Sequence, residues 1–120
     1  MSMPYIPVLD TDYIQQTIVH PLMDYEKTHD NVSLDETRDV IKIALMMVSG
    51  FRDILDDLNF NEEKLRQLQF ALDDNYEAVE TIFENMSDAP THAMIDTLLT
   101  EMAKLDMEIG DLILEHRHAS

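Results

Sequence analysis

Asp73, Glu77, Glu80, Glu84 and Asp88 follow one another at spacings of four, three, four and four residues. On a helix this spacing lines the carboxylates along one face, with neighbours about 5–6 Å apart. Asp74 stands beside the row, and Phe70 extends the same face by one turn. No Lys or Arg occurs between Arg66 and Lys104. Like charges at this spacing destabilise a helix, and no neighbouring cation offsets them. Nucleic acid presents anionic charge at a comparable density, so a rigid carboxylate row can compete for a basic nucleic-acid-binding cleft. Phe70 would anchor such a contact. The other reading of the same residues is a solvated acidic face.

A second constellation is Glu77-x-x-Glu80 followed by Glu108-x-x-Asp111. It resembles the ExxE…ExxD metal-binding pattern of the all-α MazG-like nucleotide pyrophosphohydrolases. The resemblance covers residues 77–111. It implies four carboxylates holding magnesium against the phosphates of a nucleoside triphosphate. His116-Arg117-His118 beside Glu115 offers donors for a divalent metal, or simply a frayed helix end. There is no Ser/His/Asp order, glycine-rich phosphate loop or HExxH motif, so the residues themselves nominate no catalytic group, cofactor or metal site.

The chain that carries these residues has 120 positions, 25 acidic and 8 basic side chains, and a formal charge of −17. That length makes a single domain. Direct binding to nucleic acid or to an anionic membrane needs a cationic surface and is disfavoured. The absence of cysteine excludes disulfides, thiolate zinc sites and cysteine nucleophiles. The opening residues, Met1-Ser2-Met3-Pro4-Tyr5-Ile6, lack a basic n-region, and no apolar run approaches the length of a membrane span, so a cytoplasmic protein is expected.

Two glycines, four prolines and frequent Met, Leu, Glu and Asp suit helices, and no segment alternates as a strand would. Residues 1–10 read as an extended arm with Pro4 and Pro7. A first helix, α1, follows an N-cap at Thr11 and carries Tyr13, Ile14, Ile18 and Leu22 up to a polar loop at residues 27–31. Pro21 lies inside this pattern and should kink or split the helix near His20. The second helix, α2, starts at a capping box, Ser33 with Glu36, and runs to about Leu58. Its stretch Val40–Val48 is apolar nearly all round, as in a helix that is central or covered by a second chain. The third, α3, is capped by Asn61, stapled by Phe60 and Leu65, and runs to about Met86. The fourth, α4, extends from about Pro90 to Arg117.

The strongest pattern joins the last two helices. Leu65, Leu72, Val79 and Met86 recur every seven residues in α3, accompanied by Leu68, Asn75 and Ile82. Ile95, Met102 and Ile109 do so in α4, accompanied by Leu98, Leu105 and Leu112. These are coiled-coil seams. The short 87–90 connection makes the helices antiparallel and pairs residues whose numbers sum to about 180. Lys64 should then meet Glu115, Tyr76 should meet Asp106, and Phe83 should meet Leu99. Ala71 and Ala78 should lie beside Glu108 and Glu101. The apolar edge of Phe83, Tyr76, Leu99 and Ile113 should receive α1 and α2. In this register Glu77 and Glu80 point away from the seam and Glu108 flanks its other side, so the four carboxylates of the ExxE…ExxD spacing should not converge. Asn75 is the one polar seam residue of α3, either a hydrogen-bonded core amide or a register and oligomer switch.

The sequence therefore specifies one all-α domain over residues 1–120, about four helices in a bundle with a long antiparallel C-terminal hairpin. Its expected role is that of a small acidic, non-enzymatic binding protein. The partner would be a basic protein, in the sharpest form a nucleic-acid-binding protein inhibited by mimicry, as with small acidic phage or mobile-element proteins. The competing expectation is a helical assembly factor (an antitoxin, immunity protein or chaperone) acting through apolar helix faces. A homodimer burying part of Val40–Val48 or the N-terminal arm is also expected. The nucleotide pyrophosphohydrolase reading ranks third.

Overall fold

The structure, a computed structural model, describes residues 6–119 and contains no strand among them. Four long helical segments pack together: α1 (residues 11–28), α2 (Asn31–Ile54), α3 (Glu62–Asn85) and α4 (Ala89–Ala119). Helices α3 and α4 form the antiparallel hairpin. Helix α2 packs on α4 and α1 packs on α3, so α2 and α3 stand diagonally across the bundle.

The heptads of the hairpin are its buried seam. Leu65, Leu68, Leu72, Asn75, Val79, Ile82 and Met86 are buried on α3. Ile95, Leu98, Met102, Leu105 and Ile109 are buried on α4, where Leu112 is half-buried and Leu99 and Ile113 join the core. Burying a Leu or Ile side chain contributes about 1.5–3 kcal/mol, so this seam dominates the stability of the hairpin. Register shows in the cross-helix neighbours. Arg117 Nε donates to Glu62 at 3.0 Å. A Cβ on Gly110 would lie 3.7 Å from Gln69, and Asp73 faces Asp106. All three pairs hold one register, within one residue of the expected one. The charged pair closing the open end is Arg117–Glu62, however, where Lys64–Glu115 was expected. The longer guanidinium fork reaches a carboxylate that also receives Arg66 at 3.5 Å.

Helix α2 buries Leu34, Thr37, Ile41, Ala44, Val48 and Phe51, an inward seam at alternating spacings of three and four. It is a flanking member of the bundle rather than a central one, and its outer face stays open. It also approaches α4 on a different edge from the one expected. Glu101 and Glu108, expected beside Ala71 and Ala78, receive Arg52 of α2: Nη1 donates to Glu101 at 2.7 Å, and Nε and Nη2 donate to Glu108 at 3.0 and 2.7 Å. The edge assigned to α1 and α2 carries a stack of Phe83 on His92, ring centroids 4.0 Å apart, and a groove beside Tyr76.

The N-terminal part departs most from expectation. Residues 1–5, including Pro4, lie outside the described residues. The rest of the arm is turned, not extended: Pro7–Leu9 form a 3-10 turn that drives Ile6 and Val8 into the core. There Val8 O accepts a hydrogen bond from Asn75 Nδ2 at 2.6 Å, which makes Asn75 a satisfied core amide. Asp10, not Thr11, caps α1 by accepting from Tyr13 N at 3.1 Å. As expected, the α-helical pattern is interrupted near His20: α1 consists of α-helical Thr11–Ile14 and His20–Thr28 on either side of a non-α stretch. Residues Gln15–Val19 widen into a π turn, with His20 N donating to Gln15 O, and the wider turn relieves the clash and missing donor of the proline. The polar loop contracts to His29 and Asp30. His29 ends α1 in the left-handed region at φ 54°. Asp30 caps α2 through Val32 N at 3.0 Å and also accepts from Ser33 Oγ, so Ser33 is inside the helix. The left-handed turn at His29 brings the chain into α2 with Asp30 at the helix start, three residues upstream of Ser33, where its carboxylate meets the helix dipole.

Candidate functional site

Helix α3 turns one face to the seam, and the opposite face carries the acidic row. Asp73, Asp74, Glu77, Glu80 and Glu84 are all exposed. Phe70, at the start of the row, is 72 % exposed, which is unusual for a phenylalanine with a packed bundle beneath it. From Phe70 to Glu84 the face runs about 21 Å at 1.5 Å per residue. Among the described residues, none of the five carboxylates is in an ion pair. Five of the eight cations are engaged elsewhere: Arg38 with Asp35, Arg52 with Glu101 and Glu108, Arg66 and Arg117 with Glu62, and Lys104 with Glu101. Asp88, placed by its spacing at the end of the row, has a local task. It caps α4 by accepting from Thr91 N at 3.1 Å and Thr91 Oγ1 at 2.7 Å, and the hydroxyl donor holds its carboxyl below the ordinary carboxylate value.

Asp73 differs from the other members of the row. It leans over the α3–α4 junction, where a groove of about 290 Å³ lies between Tyr76, Ala103, Met107 and the carboxyl of Asp106. Partial burial, then the contact with Asp106, pushes Asp73 up to about 6. Oδ1 of Asp106 is fully buried and has no hydrogen-bond partner. A proton on Asp73 is the donor that this oxygen lacks, so the two facing carboxyls are best satisfied when they share one proton. Met107, 69 % exposed, and Phe70 give this end of the acidic face two unpacked apolar side chains.

Asp106 and Met107 belong to this site but stand outside the spacing pattern of the row. The hairpin register carried the signal for Asp106, because a shift of three residues along α3 from Tyr76, its expected partner, reaches Asp73. The carboxylates of the ExxE…ExxD spacing are not gathered. Glu77 and Glu80 are exposed on α3, Glu108 is held by Arg52, and Asp111 is exposed on α4. No group of three or more His, Asp or Glu side chains able to hold a metal occurs among the described residues. His116 and His118 are exposed near the end of α4, and no described helix is long and apolar enough to cross a membrane. What the site offers is a stiff, concentrated anionic face with apolar side chains at one end. No protein-family model, curated protein or solved structure matches this chain.

Proposed function

We propose that the protein is a non-enzymatic binding protein whose α3 face docks onto a basic protein surface, taking the place of nucleic acid in the cationic cleft of a nucleic-acid-binding protein. The observation that carries this reading is the row Asp73, Asp74, Glu77, Glu80 and Glu84, exposed on α3 and in no ion pair among the described residues. Its five carboxylates span about 16 Å of helix axis at 1.5 Å per residue. The mean interval, about 4 Å, is close to the 3.4 Å per phosphate of a single DNA strand. The row is also pre-ordered by the buried seam behind it, so a partner's lysines and arginines meet fixed charges at little entropic cost. Phe70 and Met107 supply apolar contact at one end, where an anchor raises affinity beyond what screened charges provide.

The test compares two charge variants of the full chain. One replaces Asp73, Asp74, Glu77, Glu80 and Glu84 by Asn or Gln. The other neutralises five exposed carboxylates away from α3: Asp12, Asp24, Asp96, Asp111 and Glu115. A basic protein retained by the parent and by the second variant, but not by the first, supports the proposal. Its affinity should fall steeply with salt, and duplex DNA should compete with the protein for it. Equal retention by both variants sinks it. The assembly-factor reading instead predicts loss only when exposed apolar residues such as Phe70 or Met46 are changed.

A further inference from the structure

Gly50 lies in the interior of α2 and is exposed. Its φ is not positive, and a Cβ built on it meets nothing within 4 Å. The folded chain therefore has no conformational or packing use for a glycine there. An alanine would make the helix about 1 kcal/mol more stable. The residues around it are equally out of place on a monomer surface. Met46, one turn earlier, is 74 % exposed, and Ile43 and Ile54 are 51 % and 40 % exposed. The 3.6-residue period sets these four on one stripe, opposite the inward seam of Ile41, Ala44, Val48 and Phe51.

The order of residues along this stripe is self-complementary. We propose that it is a self-association surface on which α2 of a second copy packs antiparallel, about a twofold axis that crosses the stripe between Met46 and Gly50. Such an axis lays each Met46 over the Gly50 of the other copy, a projecting side chain against a gap. It also brings each Ile43 beside the other Ile54. On the remaining edge it sets each Lys42 beside the Asp53 of the second copy. Lys42 and Asp53 are both exposed, and neither is in an ion pair among the described residues. A parallel twofold arrangement would instead carry the Lys42–Asp53 edges of the two helices to opposite sides of the contact, where they could not pair. The Lys42–Asp53 pairing thus favours the antiparallel pair, and glycine permits the close approach. In an isologous contact each interaction occurs twice, so a short stripe yields a double set of contacts. The acidic face of α3 lies diagonally across the bundle from α2 and remains open in such a dimer. The mutual repulsion of two chains of charge −17 is screened beyond about 8 Å at physiological ionic strength.

A contact made by one helix pair is small by interface standards, so dissociation in the micromolar range is expected. Sedimentation equilibrium of the full chain between about 1 and 500 µM reads the equilibrium directly. The parent should approach twice the monomer mass at the upper end. Met46→Glu and Lys42→Asp should each weaken association at least about tenfold, while circular dichroism reports an unchanged helix content. The double variant Lys42→Asp with Asp53→Lys restores opposite charges across the axis and should recover association. Gly50→Ala should raise the melting temperature of the diluted chain yet weaken the dimer. A parent that stays monomeric throughout overturns the proposal. So does a dimer indifferent to Met46→Glu, or a double variant no better than Lys42→Asp alone.

Discussion

Replacing Asp106 by Asn should stabilise the protein at neutral pH and do nothing for it in acid. In the parent, two carboxyls face each other across the α3–α4 groove, and Oδ1 of Asp106 is buried without a donor. An asparagine at 106 brings an NH₂ group that donates to Asp73, turning a like-charged pair into a donor–acceptor pair. The displacement of Asp73 from 3.8 to about 6 sets the upper limit of the effect. At about 1.4 kcal/mol per unit it amounts to roughly 3 kcal/mol. Burial, the first cause of that displacement, is unchanged by the substitution, and Asp73 is exposed on its outer side, where water screens much of the rest, which leaves about 1 kcal/mol. For a domain of this length, that is a rise in melting temperature of about 3–6 °C. The pH window follows from linkage. Between 3.8 and about 6 the folded chain holds a proton that the unfolded chain has released, so the parent loses stability as pH rises through this window. Below it both states are protonated and the penalty is absent; above it the penalty is complete. Thermal or urea unfolding of parent and variant at pH 4 and pH 7.5 is the assay. A gain of the same size at both pH values would refute the shared-proton account, and a loss at pH 7.5 would refute the geometry.

Three further substitutions probe the contacts that hold the acidic face in place. Asn75→Ala leaves Val8 O buried without its donor and opens a small cavity; unfolding should become easier by about 1–3 kcal/mol, measured by urea denaturation. Arg52→Met removes the bridge from α2 to Glu101 and Glu108, leaving Glu108 without its cation and Glu101 with Lys104 alone; a loss of about 1–2 kcal/mol is expected, shrinking as added salt screens the exposed part. Asp88→Ala removes the cap of α4 and should cost about 1 kcal/mol at neutral pH. Because Thr91 holds the Asp88 carboxyl below its ordinary value, the parent's advantage is complete above the ordinary carboxylate range and vanishes as pH falls through the lowered value. Comparing melting temperatures at pH 2 and pH 7 checks it.

The parts of the fold legible in the sequence are those written by repetition. The seams of α3 and α4 recur every seven residues, and the short turn between them fixes direction and register, so the outward carboxylates of α3 could be placed without coordinates. The parts that were not legible depend on choices between near-equal local options or on distant neighbours. Asp30 and Ser33 both offer a cap for α2, and only the path of the chain out of α1 decides between them. The inward seam of α2, from Leu34 through Phe51, was obscured because its outer stripe is apolar too. Ile43 and Met46 made the helix read as apolar all round, when it carries two separate stripes. Arg52 meets Glu101 and Glu108 across some fifty residues of chain, a pairing that no local pattern announces. The helical spacing counted Asp73 and Asp88 with the rest of the row. One leans on Asp106, which the register nearly exposes, and the other caps the next helix, which Thr91 three residues on could have signalled.

The most direct test of the binding account is a binding titration on a basic protein recovered with the parent chain. The protein is purified and titrated with the parent, with the variant neutralised at Asp73, Asp74, Glu77, Glu80 and Glu84, and with the variant neutralised at five carboxylates elsewhere, each at low and at physiological salt. The account predicts tight, salt-sensitive binding for the parent, a similar affinity for the second variant, and a loss of at least about 100-fold, near 3 kcal/mol, for the first. Equal affinities for the two variants would show that net charge alone governs the interaction, and would contradict the claim that the α3 face is the binding surface.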